Sequence, residues 1–218
     1  TGEMYRVQVG YPIGYFYGYK TAGIFQNQAQ VDATKAKYEG AKPGDVIFVD
    51  VNGDGEITDA DRTMIGNPHP DFNAGLNLWF SYKGFDFSLT GYGAFGQQIA
   101  KSYRSFFDSP RENFTRDFLN CWTGEGTSNK YPKFEFESAN GNLQVSDVWV
   151  EDASFLRARN VQLGYTLPQK WTKKIFVQRL RIYAQAENLF TLTRYTGCDP
   201  EVSGGGSYGT EAGIDRGV

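Results

Sequence analysis

From Phe72 to Tyr82 the chain alternates with period two. Phe72, Ala74, Leu76, Leu78, Phe80 and Tyr82 take one phase; Asn73, Gly75, Asn77, Trp79 and Ser81 take the other. Successive side chains of a β-strand point to opposite faces, so this pattern demands extended chain with one apolar and one mostly polar face. Lys83-Gly84 interrupts it. Phe85, Phe87, Leu89, Gly91, Gly93 and Phe95 then alternate with Asp86, Ser88, Thr90 and Tyr92. Two such runs joined by two turn-forming residues predict an antiparallel hairpin. Strands of soluble sandwiches are usually about five or six residues long, whereas a tilted strand crossing a bilayer needs about nine to eleven. Length therefore favours a membrane barrel over a sandwich.

A second pair lies downstream. Val161, Leu163, Tyr165 and Leu167 alternate with Gln162, Gly164 and Thr166, but upstream the phase inverts, with Leu156 and Ala158 apolar and Arg157 and Arg159 polar. A bulge near Asn160 would reconcile the two phases. Pro168 closes this strand, and the basic stretch Lys170, Lys173, Lys174 is predicted to make the turn. The partner strand places Leu180, Ile182, Ala184 and Ala186 against Arg181, Tyr183, Gln185 and Glu187. That second face is too charged for a protein core and suits a wet lumen. Long irregular stretches are expected at roughly 10–70, 97–147 and from 193 onward. Loops of that length count against a compact soluble domain, but barrels alternate short periplasmic turns with long external loops. The expected fold is all-β: antiparallel transmembrane β-barrel strands of an incomplete barrel, with long extracellular loops.

Composition agrees. Aromatic residues make up 16% of the chain, with 26 glycines, which favours strands and tight turns. The net charge of −3 argues against a nucleic-acid partner. No apolar run approaches the ~18 residues of a spanning helix, and the first residues do not read as a signal peptide. A mean hydropathy of −0.49 is compatible with barrel strands, whose two faces average out. Cys121 and Cys198 have no metal or redox spacing and read as two free thiols, a bridge between them being the alternative.

One loop carries a metal pattern. Asp50, Asn52 and Asp54 occupy positions 1, 3 and 5 of an EF-hand-type loop, with Gly55 at position 6, the Glu56 carbonyl at 7, Ile57 at 8 and Asp61 at 12. Asp61 replaces the usual Glu, and the entering segment 45–49 reads as a strand rather than a helix. Such a loop, within residues 45–66, is expected to hold a structural Ca2+ and to staple an external segment rather than act as a sensor. The alternative is a turn rich in Asp, Asn and Gly that binds nothing.

Several segments in order resemble the C-terminal part of the SusC/RagA-like TonB-dependent outer-membrane transporters. They are Gly14 to Tyr19 with Gly23-Ile24-Phe25; Pro43-Gly44-Asp45 leading into Asp50 to Gly55; Asp61-Arg62 with Ile65 to Pro68; Phe155 to Pro168; and Glu187 to Thr191 with Tyr195 to Glu201. The resemblance spans nearly the whole chain. It implies a large barrel of the bacterial outer membrane, filled by an N-terminal plug, driven by TonB and capped by a SusD-like surface lipoprotein. Family substrates are oligosaccharides or peptides too large for passive porins. No TonB box or plug is legible, and the chain is expected to stop at Gly217-Val218 before the closing strand, so the segment should not transport by itself.

Other residues add less. Tyr15, Tyr17 and Tyr19 are expected on one face of an extended segment, either stacking on a sugar or serving as girdle or loop packing. Trp79 falls in the polar phase and is expected in the lumen or against a plug. No carboxylate pair for glycoside cleavage can be nominated, and the single histidine, His69, supports no triad. Gly204-Gly205-Gly206 reads as a loop tip. The expected function is therefore non-enzymatic. The rival is a secreted, calcium-stapled β-domain that binds glycan as a soluble module.

Overall fold

The hairpin read from the alternation is present, with the strand limits and turn that the pattern implies. The computed structural model describes residues 4–101, 116–134, 141–197 and 199–201. In chain order it contains strands β1 (Tyr5–Arg6), β2 (Tyr15–Gly18) and β3 (Thr21–Ile24), helix α1 (Gln28–Ala33), and strands β4 (Val46–Phe48) and β5 (Thr63–Gly66). Strands β6 (Phe72–Tyr82), β7 (Phe85–Phe95), β8 (Gln98–Ala100), β9 (Val150–Asp152) and β10 (Phe155–Thr166) follow, then helix α2 (Gln169–Thr172) and strand β11 (Arg181–Thr193). The chain divides into two units, one of Pro70–Gln97 with Asp152–Pro200 and one of the remaining residues.

The first unit is a four-stranded antiparallel sheet in the order β11-β10-β7-β6. β6 and β7 pair without slip from Phe72↔Phe95 to Tyr82↔Phe85. Their two-residue turn has Lys83 at φ 47° and Gly84 at φ 88°, the pair of positive angles a type I′ turn requires. In β10 the register shifts between Ala158 and Asn160 on both sides. Arg159 is the extra residue relative to β7, which is the bulge the inverted phase called for.

The bulge has a measurable consequence. Directly opposed residues share a face, and the apolar rows read Tyr82-Phe85-Tyr165-Ile182, Phe80-Phe87-Leu163-Ala184, Leu78-Leu89-Val161-Ala186, Leu76-Gly91-Ala158-Phe190 and Ala74-Gly93-Leu156-Leu192. The other face reads Ser81-Asp86-Gly164-Tyr183, Trp79-Ser88-Gln162-Gln185, Asn77-Thr90-Asn160-Glu187 and Gly75-Tyr92-Arg157-Thr191. Many side chains of the apolar rows lie exposed, Phe80 at 60% and Ile182 at 62% among them. On the polar face Arg181 grips Asp86 with two hydrogen bonds, Nε to Oδ1 at 2.9 Å and Nη2 to Oδ2 at 2.5 Å. Gly164 lies under this pair, where a Cβ would come within 2.5 Å of Arg181 Nη2.

β11 runs to Thr193, the point from which an irregular stretch was expected, and passes Asn188 at φ 49°. One detail differs from the sequence reading. The basic stretch after Pro168 is a helical connection rather than a simple turn. α2 leads into a single 3₁₀ turn at Lys173–Ile175, ended by Phe176 in the left-handed region at φ 57°.

The second unit corrects the expectation of irregular stretches at 10–70 and 97–147. β1, β2 and β5 form a small antiparallel sheet, and β3 pairs with β4 and β8 with β9. Short apolar runs far apart in sequence meet in one core, where Ile24, Val46, Phe48, Tyr131, Val148 and Trp149 are buried together. Local periodicity cannot reveal such pairings, because each run is too short to show a period. Fully buried Lys101 is neutralised by Asp117 at 2.6 Å and Glu151 at 2.7 Å. Buried Asp45 meets Lys133 at 3.3 Å and accepts a hydrogen bond from the Asn142 amide at 2.9 Å.

The turn yields a test. Gly84→Val would force a β-branched residue into φ 88° with its Cβ 2.8 Å from the Thr166 carbonyl oxygen. The expected loss is about 1–3 kcal/mol, read by denaturant titration of the full-length protein. Lys83→Asn should be neutral or stabilising, since Asn tolerates the left-handed region better than Lys.

Candidate functional site

The acidic loop begins where β4 ends, and its own side chains shape it. Asp50 accepts the Gly53 N–H through Oδ1 at 2.6 Å and the Gly55 N–H through Oδ2 at 2.8 Å. Asn52 Oδ1 accepts the Asp54 N–H at 2.9 Å, and Asp54 Oδ1 accepts the Glu56 N–H at 2.9 Å. Ile57 is buried with Tyr19 and Phe48, so the position expected to anchor the loop does so.

Asp61 is the most constrained member. Its side chain is buried, Oδ1 accepting from Val51 at 2.9 Å and Asn52 at 3.4 Å while Oδ2 accepts from Thr58 at 2.8 Å, all backbone N–H groups. Thr58 and Asp61 also form a capping box around the 3₁₀ turn Asp59–Asp61. Burial by itself would raise the Asp61 pKa, but the hydrogen bonds from Thr58, Val51 and Asn52 outweigh it and hold the group below the ordinary carboxylate value.

As a donor set, three carboxylates, one side-chain amide and a peptide carbonyl suit a hard cation. Their present arrangement is different. Asn52, Asp54 and Glu56 are exposed and Asp50 is half-buried, the oxygens of Asp61 are turned to backbone amides, and among the described residues no three His, Cys, Asp or Glu side chains converge as metal ligands would. The loop's own side chains and backbone amides hold it closed.

Of the two readings of the three tyrosines, ligand stacking or girdle and loop packing, the contacts present are those of loop packing. Tyr15 and Tyr19 are buried, at 1% and 4% exposure. Tyr15 stacks on Tyr11 at 4.9 Å between ring centres, and Tyr19 packs edge-on against Phe48 at 5.3 Å. Burial, reinforced by Tyr38 and Asp59, pushes the Tyr19 hydroxyl well above its usual pKa. Tyr17 is covered by the guanidinium groups of Arg6 at 4.3 Å and Arg62 at 5.0 Å. The register irregularity beside Tyr17 places its extra residue, Ile65, in β5 and leaves the alternation of β2 intact. Tyr17 meets Tyr15 edge-on at 6.3 Å between ring centres, and Arg62 lies near the rings of both Tyr17 and Tyr19.

Of the remaining single residues, His69 sits with Nε2 2.7 Å from the Ile13 carbonyl oxygen, a structural contact. Cys121 is a buried free thiol whose pKa burial pushes up to about 11, with Asp117 adding to the effect. Cys198 and Gly204-Gly205-Gly206 lie outside the described residues. Trp79 is exposed on the polar face of the sheet, as its phase implied. Asp117 and Glu151 are both engaged by Lys101, so this carboxylate pair is part of the core rather than an open acid–base site.

The two-faced sheet is the arrangement that comparison with known proteins must explain. No family model matches the chain. TonB-dependent receptor P3 of Formosa agariphila is 34% identical over 194 residues, covering 89% of this chain and 19% of the receptor. TonB-dependent receptor SusC of Bacteroides thetaiotaomicron is 31% identical over 173 residues, covering 77% of this chain and 16% of SusC. Among solved structures, the RagAB peptide importer in its open-open state aligns over 88% of the chain with a TM-score of 0.63 at 25% identity, and covers 20% of that structure's chain. A RagAB peptide transporter structure aligns over 88% of the chain, and over 21% of its own chain, with a TM-score of 0.61 at 25% identity. The chain belongs to the SusC/RagA-like family of TonB-dependent receptors. It is an outer-membrane protein, and its four long strands are barrel strands that do not close a barrel by themselves. The segment spans about a fifth of the length of these receptors.

Asp61 gives a pH prediction for this receptor segment. A carboxylate held below its ordinary pKa contributes stability that is fully present above about pH 4 and is lost as pH falls through its own lower value. Protection of the Val51 and Thr58 amides from hydrogen exchange, corrected for intrinsic rates, should drop over that acid range. In Asp61→Ala the protection should be low throughout, with about 1–3 kcal/mol of local stability lost.

Proposed function

We propose that this chain supplies part of the wall and outer loops of a TonB-dependent importer. The importer carries an oligosaccharide too large for passive porins and works with a SusD-like surface lipoprotein. A peptide is the alternative cargo, which the RagAB peptide transporters among the solved relatives favour. TonB would act through an N-terminal part of the receptor. The observation that carries the reading is the sheet itself, with coherent apolar rows exposed on one side and polar, charge-paired rows on the other. Lipid suits the first face and a wet lumen the second. In this reading residues 10–70 and 97–147 are external loops, available to meet the lipoprotein, and their described residues share a core of their own. The segment carries binding and passage rather than catalysis.

A calcium ion in the acidic loop belongs to the same reading. Asp50, Asn52, Asp54, the Glu56 carbonyl and Asp61 are its proposed ligands, with a structural role. Calorimetric titration of the chelator-treated receptor should show calcium-dependent heat and a raised unfolding temperature, both lost in Asp50→Ala with Asp54→Ala. Absence of heat in the unaltered protein overturns the metal assignment and leaves the transport reading standing.

The soluble glycan-binding module fits less well, because it would leave the apolar rows in water. Charge placement separates the two readings. Val161→Arg, in the middle apolar row, should destabilise the full-length receptor in lipid vesicles by about 2–4 kcal/mol, whereas Gln162→Arg, facing the other way, should change stability by less than ~1 kcal/mol. Urea titration after reconstitution measures both. Equal effects would reject the lipid-facing assignment. Loss of growth on the cargo in a strain lacking the receptor, restored by the intact gene, tests import itself.

A further inference from the structure

One end of the four-stranded sheet is chemically unlike the rest of the molecule. The chain as a whole carries a net charge of −3, yet there is no Asp or Glu from Ala153 to Ala186. Within that stretch Lys170, Lys173, Lys174 and Arg179 fall close together, all exposed, in the connection between β10 and β11. Lys83, also exposed, adds a fifth cation at the same end, since the Gly84 carbonyl accepts the Thr166 N–H at 2.7 Å. Two aromatic side chains stand among these cations. Trp171 is 54% exposed and Phe176 is 99% exposed. Phe176 also holds a left-handed backbone at φ 57°, which is unfavourable for a bulky residue. Among the described residues nothing covers its ring.

The adjoining row of the sheet is aromatic as well. Tyr82, Phe85 and Tyr165 lie side by side, the Phe85 and Tyr165 rings 4.4 Å apart, and Lys83 Nζ sits 5.1 Å from the Tyr82 ring centre. This row is where the apolar face begins. Aromatic rings favour the headgroup level of a bilayer, lysine stems can lie along apolar surface while the ammonium reaches water, and clustered cations are drawn to anionic lipid. The position, the charge and the exposed rings thus fit one occupant.

We propose that the turn end of this sheet is a docking surface for anionic glycerophospholipid headgroups. Lys170, Lys173, Lys174 and Arg179 meet the phosphates, and Trp171 and Phe176 sit at the boundary between headgroups and acyl chains. Short turns of outer-membrane barrels face the periplasm, where the leaflet is phospholipid. The inference rests on the barrel reading given above. It adds that the β10–β11 connection selects lipid charge and thereby fixes the depth of the wall in the bilayer.

The test uses the full-length receptor in vesicles of phosphatidylcholine, doped with either phosphatidylglycerol or phosphatidylcholine bearing a nitroxide near the glycerol end of its acyl chain. The fluorescence belonging to Trp171 is obtained as the difference between the receptor and Trp171→Phe. Phosphatidylglycerol should quench it more strongly than phosphatidylcholine, by roughly five-fold in relative affinity per cation engaged. The preference should fall toward one in Lys170→Gln with Lys173→Gln and Lys174→Gln, and in high salt. Equal quenching by the two lipids, no quenching, or a preference unchanged in the triple variant overturns the proposal. A tryptophan at Leu78, in the middle apolar row, serves as the reference. If it is quenched by nitroxides placed deep in the chains while Trp171 shows no preference, the headgroup site fails and the barrel stands. If Leu78→Trp is not quenched either, the barrel reading fails with it.

Discussion

The structure depends on one extra residue. A strand has a side-chain period of two, so a slip of one position moves every side chain beyond it to the opposite face. In β10 the apolar residues are Leu156 and Ala158 on one phase and Val161, Leu163 and Tyr165 on the other. Without correction one half of this strand would face the wrong way: either Leu156 and Ala158 would turn to the polar side and Arg157 to the apolar side, or Val161, Leu163 and Tyr165 would turn to the polar side. The bulge at Arg159 absorbs the offset, so that Ala158 faces Gly91 and Phe190 while Val161 faces Leu89 and Ala186. Asn188, with its left-handed backbone, lies in the matching irregular stretch of β11. Every apolar row of the sheet follows from this local adjustment, and with the rows goes the distinction between a lipid face and a lumen face.

The polar face obeys a second constraint, that charge on it be paired. Arg181 and Asp86 form a two-point ion pair across the strands, and Gln162 accepts from the same guanidinium at 3.2 Å. Arg157 is held by Thr191 Oγ1 at 2.9 Å and by Asp199 at 2.7 Å. Paired groups of this kind are directional and fix side-chain orientation more than they add stability, since partly exposed ion pairs contribute little. The missing side chain at Gly164 belongs to the same constraint. Any Cβ there would push into the guanidinium and carboxylate that cross above it.

The sheet was legible in sequence because its information is local. Alternation over long runs marked β6, β7, β10 and much of β11, the Lys83-Gly84 pair marked a turn, and a change of phase marked the bulge. The loop unit was legible only in the strand at 45–49 and the extended segment around Tyr15 to Tyr19, because the rest of its information is carried by pairs far apart in the chain. Trp149, Phe48 and Ile24 form one core, yet none belongs to a run long enough to show a period. Lys101 gives no hint in sequence of its partners Asp117 and Glu151. The tyrosines show the same limit. Their alternation was legible and loop packing was one of the two readings, but the groups that cover them, Tyr11, Phe48, Arg6 and Arg62, come from other stretches of the chain. In the acidic loop the pattern located the side chains and the anchoring role of Ile57. It did not reveal that Asp61 would be committed to three backbone amides, because a motif specifies donor atoms and not what competes for them.

These differences follow from where each unit keeps its apolar surface. A soluble sheet buries one face against a second layer, and its core is then the place where substitutions matter most. Here the sheet's apolar face has no protein layer over it among the described residues, and the buried apolar side chains are largely those of the loop unit. The sheet draws its stability from its backbone ladder and from the solvent its outer face meets, so it tolerates changes that keep the right polarity on the right side. The loop unit draws its stability from packing and from buried charges such as Lys101 and Asp45, so there size and partner are what count. Two kinds of sequence constraint thus alternate along one chain. The boundaries at Pro70, Gln97 and Asp152 are where the governing rule changes from periodicity to complementarity.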